Sequence, residues 1–335
     1  MKRRSMFVAA VVVLLAGWTP QTNQAAQQQG APSGAAQVND TRTTKEELGR
    51  WMKELSNWGR WGKNDQLGAA NTITAAKRQA AAALVKAGIT VSLAHDFLTE
   101  KAVDAPTPFV LQISTSPRLT ARDTIEVDFH GISFSHLDAL CHVSHNGVLY
   151  NGLSFKEVVK VPEGCTDLGI TSLKDGIVTR GILLDIPRLK GVAYLEPGTH
   201  VYREDIEAWE KKAGVKVSSG DVIVLRTGRW ARREKVGPYN TLSGYDASFL
   251  PFLKDRDVAL IGADSASEVG TVPGFPLPIH TFAIVARGMN MFDNLDLEAL
   301  AATAARLNRW EFMFVASPLR VNKGTGSPIN PVAVF

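Results

Sequence analysis

Four of the seven histidines in this 335-residue chain fall in one stretch, Asp128-Phe129-His130-Gly131-Ile132-Ser133-Phe134-Ser135-His136-Leu137-Asp138-Ala139-Leu140-Cys141-His142-Val143-Ser144-His145. Side chains two apart in an extended segment share a face, so a strand over 134–138 points His136 and Asp138 the same way, able to grip one divalent cation. A turn through Ala139, Leu140 and Cys141 brings His142 back to the same pocket, as a third ligand or as a proton-transfer group. A lone histidine on an apolar strand is more often a hydrogen-bonded core or surface residue. His-x-Asp-x-x-x-His inside an apolar run, however, leaves three polar groups in need of partners, which favours the metal reading.

Ser135-His136-Leu137-Asp138-Ala139-Leu140-Cys141-His142 resembles the Thr-His-x-Asp-x-Pro-x-His signature of the Putative cyclase family, which includes bacterial kynurenine formamidases and isatin hydrolases. The resemblance implies an α/β fold, a single mixed-sheet domain of the cyclase or kynurenine formamidase type (swivelling β/β/α-like). It implies one divalent metal, Zn or Mn, held by His136, Asp138 and Asp293, with His142 and His280 catalytic. A homo-oligomer is implied on the same basis. Three departures stand out: Ser135 replaces Thr, Leu140 replaces Pro, and Ile132 occupies the place of a further metal-binding His. The last favours one metal over two. On a straight strand His130 shares a face with His136, which makes it a substitute ligand or a substrate contact.

These residues need elements to position them. Helices are expected over 44–55, capped by Thr44, over 74–87, ended by Gly88, and over 154–159, 202–213, 281–287 and 297–307. Strands are expected over 91–94, 109–113, 124–129, 177–184, 221–225, 258–263 and 289–292, with an edge strand over 312–315 and 318–319. Gly220-Asp221-Val222-Ile223-Val224-Leu225-Arg226-Thr227-Gly228 is similar to a second family motif, and Arg226 at its strand end is read as a substrate-carboxylate or orienting group, or else a surface ion pair. Asp264-Ser265-Ala266-Ser267-Glu268 resembles a third landmark, with carboxylates at a pocket mouth. His280 opens an apolar helix, where a helix N-terminus disfavours its charged form. Asp293-Asn294-Leu295 stands where the family has Glu-Asn-Leu. The segment from Trp58 to Asn71 also resembles the family; Trp61 or Trp58 either anchors a lid or lines a pocket for a flat substrate.

Lys2, Arg3 and Arg4 precede an apolar run over 6–18 that is too short to span a bilayer, so 1–26 reads as a signal peptide and the mature protein as exported, periplasmic or secreted. Residues 27–43 read as a polar linker, and 44–335 as one hydrolase domain with no stable membrane anchor. Of 37 basic residues the three in the signal account for most of the net +4, leaving 34 against 33 acidic, so no basic surface argues for nucleic acid. With only Cys141 and Cys165, disulfides are not expected as the main staple, and Cys141 reads as a small buried thiol. No nucleotide-binding glycine motif or Gly-x-Ser-x-Gly is present. What remains is metal-assisted hydrolysis of a small amide, cyclic amide or lactone, with His142 as general acid/base. The alternative is a secreted binding protein that kept the fold without catalysis.

Overall fold

A computed structural model describes residues 41–335; the expected signal peptide over 1–26 and the expected linker over 27–43 as far as residue 40 lie outside the described residues. Its centre is a run of aliphatic strands buried on both faces, as parallel strands covered by helices must be. These are β3 (Ile177–Asp185), β4 (Val222–Arg226) and β5 (Leu260–Ala263), continued by β6 (Met291–Asp293). The four lie side by side and parallel in that order. Antiparallel strands extend both sides: β7 (Glu311–Ala316), β9 (Val332–Val334) and β1 (Thr90–Ser92) beyond β3, and β2 (His136–Asp138) and β8 (Gly326–Pro328) beyond β6. The result is one nine-stranded mixed sheet, ordered β1-β9-β7-β3-β4-β5-β6-β2-β8.

The covering helices follow local rules. In α1 (Lys45–Glu54) the Thr44 hydroxyl accepts from the Glu47 amide while Glu47 reaches back to the Thr44 amide. Thr74 caps α2 (Ala75–Ala82), which packs on β3 and β7. In α3 (Arg203–Ala213) the buried stripe of Ile206, Trp209 and Glu210 turns inward, and Trp209 donates from its indole to Leu183 O. Helix α4 (Arg229–Val236) follows β4, and α5 (Glu298–Leu307) packs on β1 and β3. No helix among the described residues is long and apolar enough to cross a membrane.

Several expectations change. β7 is an interior strand rather than an edge, because β9 and β1 lie outside it, and 318–319 carries no strand. Strands Val110–Thr115 and Ala121–Glu126 pair only with each other, as an exposed hairpin apart from the main sheet. The expected helix over 74–87 ends at Ala82, and the one over 281–287 begins earlier, at Pro278, and passes into a π-helical turn Thr281–Ala286. Cys141 is not a free thiol: it is joined to Cys165 in a disulfide, which ties the turn before His142 to the segment that opens 24 residues later.

Candidate metal centre

Antiparallel pairing at one side of the sheet builds the site. β2 supplies His136 and Asp138 on one face, and β6 places Asp293 directly across from His136. On the other side of β2, Gly326 of β8 stands opposite Asp138. The next turn, closed by the His142 amide donating to Ala139 O, carries His142 back over the strand. His280 arrives from the helix that starts at Pro278.

Asp138 is completely buried, and neither carboxylate oxygen has a hydrogen-bond partner. Imidazoles surround it instead. Oδ1 lies 3.1 Å from His130 Nδ1, 3.4 Å from His136 Nε2 and 3.8 Å from His142 Nε2, and Oδ2 lies 3.4 Å from His280 Nε2. His136 donates from Nδ1 to Phe134 O, which leaves Nε2 as its ligand atom facing the carboxylate. A buried carboxylate without a hydrogen-bond donor is costly unless a cation neutralises it. The ligand atoms of His136, Asp138 and Asp293 lie within 4.8 Å of one another, as do those of His130, Asp138 and His142. This mixed imidazole and carboxylate donor set fits a divalent metal ion.

Electrostatics sorts the histidines. Burial, the largest influence, opposes ionisation of Asp138, yet His142 and His136, with His130 and His280, hold its carboxyl well below the usual carboxylate range. Burial pushes His142 down to about 4 against the opposing pull of Asp138, so it is neutral at pH 7 and able to accept a proton. His280 behaves in the opposite way. Burial alone disfavours its charge, but Glu268 and Asp293 raise it well above the ordinary histidine range. Nδ1 meets Glu268 Oε2 and Nε2 meets Asp293 Oδ2 at 3.0 Å, so without a metal the imidazolium is favoured, contrary to the neutral form expected from the helix terminus.

The structure therefore brings together His130, His136, Asp138, His142, His280 and Asp293. Two expected substrate residues are not part of this group. Arg226 bonds Asp185 at 2.9 Å and Glu298 at 2.6 Å, two strands from β6, so the two carboxylates already occupy its guanidinium. Trp61 carries the Arg60 guanidinium 4.5 Å over its ring, and Arg60 in turn grips Asp257. Trp58 is pinned by its indole donating to Val285 O. Asp264 is not at a pocket mouth: it is fully buried and caps α4 through the amides of Thr227, Gly228 and Arg229. His130 reaches Asp138 through a turn at Gly131 rather than along a straight strand.

Sequence reasoning gave no site role to several residues that matter here. Asn290 donates to Asp138 O at 2.8 Å, and Ser267 donates to Asp293 Oδ1 at 3.0 Å. Glu268, noticed only as part of a landmark, holds His280 through both its ring and its amide. Their signal would have been the pairing of β5, β6 and β2, which no local pattern reveals.

An α/β sheet with a histidine and carboxylate cluster on its β6–β2 side defines a recognisable class. The chain belongs to the family described as Putative cyclase, whose pattern matches residues 89–268. It is 31% identical to a novel cyclase of known crystal structure, with TM-score 0.77 over 84% of this chain and all of that one. An isatin hydrolase bound to the product analogue thioisatinate shares the fold, with TM-score 0.53 at 16% identity over 76% of this chain and 94% of that one. Isatin hydrolase of Roseibium aggregatum is 27% identical over 144 residues, 38% of this chain; the match spans about half the length of that relative.

Proposed function

We propose that the protein is a metal-dependent hydrolase of small amides, cyclic amides or lactones, related in chemistry to isatin hydrolases and arylformamidases. The observation that carries this reading is Asp138: a fully buried carboxylate with both oxygens unbonded, set among four imidazoles and next to Asp293. His136, Asp138 and Asp293, joined by His280, would hold one divalent cation, Zn or Mn. Such a cation acts as a Lewis acid toward a carbonyl and lowers the pKa of water at the site.

The protein's own groups supply the rest. His142, neutral at pH 7, accepts the proton of the attacking water at Nε2 and returns it to the leaving nitrogen or oxygen. Its ring stacks on His130 at 3.9 Å and 3°, which fixes its plane. Glu268 and Ser267 hold His280 and Asp293 in place. Arg226 is left out of substrate binding on the grounds given above.

Export is proposed with this function, and the Cys141–Cys165 disulfide supports it, since such bonds persist in oxidising compartments. A periplasmic or secreted enzyme suits scavenging or detoxification better than a dedicated role in cytoplasmic tryptophan degradation. Assembly into a homo-oligomer is proposed from the resemblance, and sedimentation equilibrium tests it. The functional test is elemental analysis of the purified protein combined with a turnover screen of isatin, aryl formamides and lactones. One bound ion and turnover of at least one class are expected. Purified protein that takes up no ion from supplied Zn or Mn would return the non-catalytic binding protein as the better reading.

A further inference from the structure

The loop over 131–135, which leads into β2, is held by two buried side chains from distant parts of the chain. The first is Asn294, which follows Asp293 at the end of β6 and sits in the left-handed region at φ 56°, a conformation open to Asn. Its side-chain amide donates to Gly131 O at 2.6 Å and to Phe134 O at 3.3 Å, and its backbone carbonyl accepts from the Ser135 hydroxyl at 2.7 Å. Phe134 O is also the oxygen that accepts from His136 Nδ1 at 2.8 Å. The carbonyl that orients the His136 ring is therefore itself held by Asn294.

Arg229 fixes Asn294 in turn. Its guanidinium, buried at the start of α4, donates from Nη1 to Asn294 Oδ1 at 2.6 Å and from Nη2 to Ile132 O. Charge compensation is thin: Asp104 Oδ2 lies 3.9 Å away and already pairs with Arg233 at 2.6 Å, and Arg229 Nε has no partner. A buried guanidinium so placed costs stability, and what it supplies is geometry, because its planar fork addresses two acceptors at once. Its backbone is anchored too, since the Arg229 amide donates to Asp264. At the far end of the loop there is no slack. A Cβ at Gly326 would lie 2.7 Å from Leu137 O and 2.9 Å from His130 Cε1, so only glycine leaves room beside β2.

Resting on the metal-hydrolase reading, we propose that Asn294 and Arg229 are positioning residues: by clamping the 131–135 loop to the end of β6 they set the separation of His136 from Asp293 and keep His136 Nε2 turned toward Asp138. Neither is a ligand; both act through the carbonyls of Gly131, Ile132 and Phe134.

The test separates geometry from folding. Asn294→Asp keeps the size, the backbone conformation and the bond from Arg229, but sets an oxygen against two carbonyl oxygens where the amide donated. Arg229→Lys keeps the charge and loses the fork. On the purified protein, metal affinity is measured by chelator competition with Zn and by calorimetry with Mn, ligand geometry by the visible spectrum of the Co-substituted form, and stability of the metal-free form by denaturant unfolding. Asn294→Asp is expected to weaken metal binding by roughly 10–100-fold, the usual cost of losing a group that orients a ligand, and to alter the Co spectrum; Arg229→Lys is expected to weaken binding by roughly 10-fold. If Asn294→Asp does not fold, Arg229→Lys decides by the same measurements. Wild-type affinity and spectrum in the variants, whether or not stability falls, would reduce the pair to a structural role and overturn the assignment while leaving the hydrolase reading intact. A wild-type protein that takes up no divalent ion overturns both.

Discussion

At the scale of single residues, the protonation of His280 and His142 gives the sharpest expectations. His280 lies between Glu268 and Asp293 and favours its charged form in the absence of metal. A ligating imidazole must be neutral, so metal binding through His280 releases about one proton. Calorimetry in buffers of different ionisation enthalpy should show that release at pH 7, and His280→Gln should abolish it. His142→Ala should lower kcat by roughly 10²–10⁴-fold, the usual range for losing a general acid/base, with bound metal unchanged by elemental analysis. Arg226 belongs to a different account. Removing it leaves the fully buried Asp185 with Arg188 as its one remaining guanidinium partner and takes the guanidinium from Glu298, so Arg226→Ala should cost about 1.5–3 kcal/mol in denaturant unfolding while KM stays at the wild-type value. The His136 and Asp138 pair was legible in the sequence because a period of two is a local property. The partnership of His136 with Asp293, and the need for glycine at 326, were not legible, because both depend on which strands lie beside β2.

At the scale of elements, the segment around Trp58 is held on the domain by a small number of polar contacts. Arg60 pairs with Asp257 through two nitrogens, Asn57 and Arg287 share a hydrogen bond, and the Trp58 indole reaches Val285 O. The hydrogen bond from Arg60 is the main reason the Asp257 carboxyl lies below its ordinary value. A depressed carboxylate stabilises the fold above its unfolded pKa and loses that contribution as pH falls through the folded value. Asp257→Asn should therefore lower the melting temperature slightly at pH 7, by an amount set by an ion pair of about 1 kcal/mol or less, with the difference vanishing near pH 2. Asp257 has φ 50°, a conformation that Asn tolerates, so the variant isolates the charge. The central strands β3, β4 and β5 were readable as unbroken aliphatic runs. The pieces missed or misplaced, β8, β9 and the free-standing hairpin, are three to six residues long, and their status as edge, interior or excursion is fixed by long-range pairing.

At the scale of the whole molecule, one covalent bond joins parts that the sheet does not. The Cys165 amide donates to Lys323 O, the Ile170 amide donates to Gly324 O, and Thr325 O accepts from the Ala139 amide. The turn bearing His142 and the loop supporting His130 thus share one scaffold, closed by Cys141–Cys165. Opening a loop of this length removes about 3 kcal/mol of stabilisation in the chain-entropy description. Cys165→Ser should show that loss in denaturant unfolding. It should also lower kcat more than metal content, because His142 is adjacent to the released cysteine.

That bond also has a bearing on where the protein works. Inside a cell, where small thiols keep cysteines apart, a newly made chain would carry its base on an unstapled turn and handle amides poorly. On the export proposed above, the staple would close only after delivery to an oxidising space, so the turn that carries His142 would be fixed there rather than in the compartment that makes the chain.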